Sequence, residues 1–72
     1  MIITERDCQN ACATLIANDL SSSPRETRLI LEHIGRRKAS GKRLMQAALD
    51  LCRAGRLKPV NVLGGIMIAV AD

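Results

Sequence analysis

Residues 35–43 read GRRKASGKR, nine positions that hold five cationic side chains, two glycines and a serine. Three chemistries use a stretch of this kind: cradling a nucleotide phosphate, accepting a phosphoryl group, or gripping a nucleic-acid backbone. The first fails on spacing. A Gly-x-x-x-x-Gly-Lys-Ser/Thr loop places four residues between its glycines and a hydroxyl after the lysine, and it follows a strand. Here five residues separate Gly35 from Gly41, Arg43 stands in the hydroxyl's place, and a helical pattern precedes. Arg37-Lys38-Ala39-Ser40 resembles a basophilic kinase site, but Ser40 also fits as the cap of the helix that follows. The third chemistry is the one that survives, beside the alternative that the stretch is only a solvated, basic connection between two helices that keeps the protein soluble. A helix beginning after Ser40 turns free backbone N–H groups and the positive end of its dipole outward, Gly41 allows close approach, and the surrounding cations suit phosphate. Arg36, Arg37, Lys38, Lys42 and Arg43 are therefore the expected backbone contacts, with Gln46 one turn on to reach a base edge and Arg53 further along the same helix.

The other reactive residues are the cysteines Cys8, Cys12 and Cys52 and the single histidine, His33. Together they are one tetrahedral zinc ligand set in composition. Paired Cys-x-x-Cys knuckles are missing, and each cysteine falls at an apolar-face position where a free thiol packs as a small hydrophobe, so no metal or other cofactor is assigned. Their odd number argues against a closed disulfide framework and for a reducing compartment. His33 adjoins Glu32, but neighbouring helix residues point about 100° apart and do not form an acid–base pair. No enzyme activity is expected.

Three helices would position these groups. Thr4 and the acidic turn Glu5-Arg6-Asp7 start the first, and Cys8, Ala11, Cys12, Leu15, Ile16 and Leu20 recur at helical spacing, which predicts residues 5–20. Ser23-Pro24 caps and starts the second, with Thr27, Ile30, Leu31 and Ile34 as its stripe and its end near Gly35. The third follows Ser40, buries Leu44, Met45, Ala48, Leu51 and Cys52, and ends before Gly55. The remaining segment, KPVNVLGGIMIAVAD, is β-branched and reads as a hairpin turning at Gly64-Gly65, with Leu63 opposite Ile66 and Val62 opposite Met67. Both faces of that ribbon would be largely apolar, so it should pack on the helices, pair with Met1-Ile2-Ile3, or assemble with a second chain. The fold class expected is α+β, mainly helical: three short helices and a C-terminal β-hairpin, with a short N-terminal strand as a candidate third member, in one domain spanning 1–72.

This order of elements is similar in layout to part of a winged helix-turn-helix DNA-binding domain. The turn here is longer than in that motif, and the ribbon is apolar where a DNA-contacting wing carries Arg or Lys. The ribbon therefore reads as an assembly surface formed by Val62, Leu63, Ile66, Ile68 and Val70.

Composition agrees. The chain has 72 residues, a net charge of +4 and no Phe, Tyr or Trp. A domain this short buries only about 60% of its unfolded surface, so self-association into a homodimer is expected. The positive excess favours an anionic partner, and the lack of aromatics for base stacking favours duplex over single-stranded nucleic acid. The N-terminus MIITERDCQN shows no leader pattern, and the apolar run VLGGIMIAVA is about half the length of a membrane span, so a cytoplasmic protein with no membrane partner is expected. The function these residues imply is a small basic DNA-binding regulatory protein of phage or mobile-element type. The alternative is a protein-binding inhibitor or adaptor that docks through the apolar ribbon.

Overall fold

In the computed structural model, which describes residues 2–18 and 23–71, Thr4 opens the first helix with both halves of a capping box. Its hydroxyl accepts the Asp7 backbone N–H at 3.1 Å, and the Asp7 carboxylate accepts the Thr4 N–H at 3.0 Å. The second bond holds the Asp7 carboxyl below its ordinary value. Helix α1 runs Glu5–Ala17, and Asn18, expected within it, turns to extended backbone; Asp19 and Leu20, the rest of the expected helix, lie outside the described residues.

Helix α2 runs Pro24–Ile34 with proline in its first turn. Ser23 supplies its backbone carbonyl to Thr27, but its hydroxyl makes no capping bond, contrary to expectation. Helix α3 runs Gly41–Arg53, and the Ser40 hydroxyl accepts the Arg43 N–H at 3.3 Å. Both α2 and α3 close on a left-handed glycine. Gly35 and Gly55 have φ of 77° and 78°, and the next residue's N–H reaches back to the last turn (Arg36 to Leu31, Arg56 to Leu51), which satisfies carbonyls the helix would leave orphaned.

Strands β1 (Leu57–Val62) and β2 (Gly65–Val70) form a two-stranded antiparallel sheet, fastened at its base by the Ala71 N–H on the Arg56 carbonyl. The turn is Leu63-Gly64, one residue earlier than expected, and Val62 faces Gly65 while Asn61 faces Ile66. In the expected register Asn61 would sit opposite Ile68. The observed one pairs Ile68 with Pro59 and leaves Asn61 exposed near the tip, so the polar amide stays in water while Ile68 is buried. Gly64 takes φ of 94° at the second turn position, which a side chain would oppose. Ile2 and Ile3 add no strand; Met1 lies outside the described residues.

The core collects on α3. Leu44, Ala47, Ala48 and Leu51 form its buried face at i, i+3, i+4 and i+7, with Met45 and Cys52 half-buried at the margins. Helices α1 and α2 and strand β1 pack on α3, and α1 also covers β2. Cys12, Ile30, Leu57 and Ile68 are the largest side chains sealed completely inside. No helix among the described residues is long and apolar enough to cross a membrane.

Truncating Ile30 or Leu57 to alanine should cost about 2–5 kcal/mol in urea denaturation, the usual cost of a cavity that closes only partly. Ile68→Asp should prevent folding, whereas Leu63→Ser, at a fully exposed turn position, should change stability by about 0.5 kcal/mol or less.

Candidate functional site

Gly35 turns the chain out of α2 and Ser40 starts α3, so the loop between them is held at both ends while Arg36, Arg37 and Lys38 project into solvent. Arg36 and Arg37 border a depression that Arg28 and Glu32 also line. Lys42, Arg43 and Gln46 border a second one beside Ser40. Among the described residues no carboxylate pairs with Arg36, Arg37, Lys38, Lys42 or Arg43. Open space surrounds Gly41 at the head of α3, where the first backbone N–H groups of a helix have no partner within it. One end of the molecule therefore carries a cluster of cations around a helix N-terminus, none in an ion pair among the described residues, with Glu32 the carboxylate at its border.

Two residues assigned to this surface from the sequence behave differently. The Gln46 side-chain amide donates to the Asp50 carboxylate at 3.1 Å, and His33 Nε2 stands 3.6 Å from the other Asp50 oxygen. Gln46 must break that bond to read a base edge. Arg53 lies ten residues beyond Arg43, about 15 Å along the helix, and pairs with Glu5 at 3.3 Å. It does not join the basic cluster. Asp50 and Glu5 were missed as partners; for Asp50 the signal was its i, i+4 spacing from Gln46.

The ribbon surface also divides. Val62 and Leu63 are exposed, Ile66 and Val70 are half-buried against the helices, and Ile68 is 2% exposed. Ile68 is core, not interface. Residues alternate across the ribbon, so the opposite face shows Met67, which the sequence reading had left out of the interface.

At the other end of α3 the cysteines meet. Cys8 and Cys12 are one turn apart on α1, and Cys52 faces them from α3, so that all three sulfurs lie within 4.8 Å of one another. His33 is not with them; it stands beside Asp50, which removes the fourth member of the zinc set considered from composition. Burial pushes the Cys12 thiol up to about 11, with the neighbouring Cys8 adding to the effect and a hydrogen bond from Cys52 opposing it. Burial likewise raises Cys52, reinforced by its contacts with Cys8 and Cys12.

No family model matches this chain, and neither the curated proteins nor the solved structures contain a match to it.

Because the native state keeps protons on Cys12 and Cys52 that the unfolded chain releases from about pH 9, the contribution of these thiols to stability is complete below that pH. It declines as pH rises toward 11. Thermal unfolding should therefore show Tm falling between pH 9 and 11, and falling less steeply in Cys52→Ala.

Proposed function

We propose that this chain is a small DNA-binding regulatory protein that grips duplex phosphate with Arg36, Arg37, Lys38, Lys42 and Arg43 around the N-terminus of α3. The observation that carries this reading is the set of exposed cations, none paired with a carboxylate among the described residues, beside the open head of a helix. Cations held unpaired at one end repel one another, and a row of phosphates relieves that repulsion while releasing condensed counterions. Affinity of this origin is largely indifferent to sequence. With Gln46 engaged by Asp50, base readout contributes little until the helix is seated. No aromatic side chain offers a stacking platform, which favours duplex over single strands. A homodimer would present two such ends to one duplex.

The second reading, a protein-binding adaptor, is favoured by the hairpin tip, where Leu63 is fully exposed and Val62 and Met67 are nearly half so. The two readings place their weight on different residues.

Anisotropy titration of a labelled random-sequence duplex separates them. Five phosphate contacts give a slope of about −4.5 in log K against log salt, so binding should weaken roughly 500-fold between about 50 and 200 mM salt. Replacing Arg37, Lys38, Lys42 and Arg43 together by alanine should abolish it. Absence of binding at the lower salt would reject the DNA reading, and a partner sensitive to Leu63→Asp and Met67→Asp but not to the alanine set would establish the adaptor.

A further inference from the structure

Each of the three thiols sits where a small hydrophobe packs, and their sulfurs also converge on one point. Cys8 and Cys12 share a face of α1 by spacing, and Cys52 arrives from α3, forty residues along the chain from Cys12, with its Sγ 3.9 Å from that of Cys12. Three thiolates bound tetrahedrally to zinc at about 2.3 Å stand about 3.8 Å apart. The cluster, with its sulfurs all within 4.8 Å, thus needs a contraction of about 1 Å at its widest to reach that geometry.

We propose that Cys8, Cys12 and Cys52 bind a thiophilic divalent d10 cation, zinc, through three sulfurs, with the fourth coordination position facing the surface. An all-sulfur donor set selects soft or borderline cations over magnesium or calcium. Charge selects the divalent state. Three thiolates with one divalent ion leave a single negative charge, where a monovalent ion would leave two; the Arg53 guanidinium in the same depression is already paired with Glu5, so the smaller excess is the one this site can hold. The ion has a way in, because Cys8 and Cys52 are half-buried and line a depression of about 390 Å³ walled by Glu5, Leu49, Arg53 and Pro59, with the fully buried Cys12 behind them. That side holds the open fourth position, for water, with the Glu5 carboxylate one turn before Cys8 held by Arg53. On ligation each thiol releases its proton to solvent, so one Zn²⁺ and three S–H groups give a tris-thiolate complex of charge −1 and three H⁺. The bound ion ties α1 to α3, and since the unfolded chain has no preformed site, its binding adds to stability.

The test is titration of the reduced, metal-free chain with Zn²⁺ by calorimetry and with Cd²⁺ by its sulfur-to-metal charge-transfer absorption. One ion per chain is expected, with a rise in Tm. Cys8→Ser and Cys52→Ser should each weaken binding at least tenfold, and the double variant should lose it while keeping its helical circular dichroism; these half-buried positions serve the test even if Cys12→Ser fails to fold. The variant with Arg37, Lys38, Lys42 and Arg43 changed to alanine should bind zinc normally, which separates this site from the DNA reading. Zinc uptake by the wild type no greater than by the double variant would overturn the proposal. Stoichiometric monovalent copper without zinc binding would overturn the divalent assignment.

Discussion

The close approach of α1, α2 and the hairpin to a single face of α3 is the constraint on which the other features rest. A core without aromatic rings cannot fill wide gaps, so the elements must come near one another. Ala47 and Ala48 at the centre of the buried face of α3, and Ala11 beside Cys12 on α1, permit that approach, while Ile30, Leu57 and Ile68 supply the bulk from α2 and the two strands. Every neighbour of α3 is thereby fixed at short range. Exchanging one of these alanines for a larger residue would push an element outward and alter the geometry at both ends of the helix.

Those two ends have opposite chemical character. The head of α3 lies free among cations, with its cap formed by Ser40 and no neighbouring carboxylate on the loop. Toward the tail, Cys52 and Arg53 face α1, which contributes the partner thiols and the Glu5 carboxylate. A helix of thirteen residues thus joins the cationic loop to the cluster of three thiols. Asp50, on the outer side between them, gathers Gln46 and His33.

Much of this was legible in the sequence, and the parts that were not share a cause. The helices could be read because capping residues and apolar periodicity are local signals: Thr4, Pro24, Ser40, Gly35 and Gly55 mark ends that the backbone then takes. The end of the expected first helix was over-read at Asn18, which takes extended backbone, because apolar spacing alone cannot locate an end. The hairpin was legible as a hairpin but not in register. Gly64 and Gly65 both tolerate positive φ, and the flanking residues are apolar on both faces, so neither turn chemistry nor alternation decided between two pairings; the placement of Asn61 against water did. The basic cluster was legible because its members are neighbours in sequence, whereas the removal of Arg53 follows from its distance along the helix. Convergence of Cys52 on Cys8 and Cys12 is tertiary, and only half of it, the one-turn spacing on α1, is written locally.

The long separation between α1 and its partner on α3 has a consequence for how the chain reaches this structure. Helices α2 and α3 are joined by six residues, 35–40, and β1 by two from its turn to β2, so these contacts close short loops. The contact of Cys12 with Cys52 closes forty residues, for which the entropy cost is higher, growing as the logarithm of loop length. The thiols come together only when α1 is seated on α3, so the shielding of these sulfurs from solvent reports directly on whether the N-terminal helix has found its place.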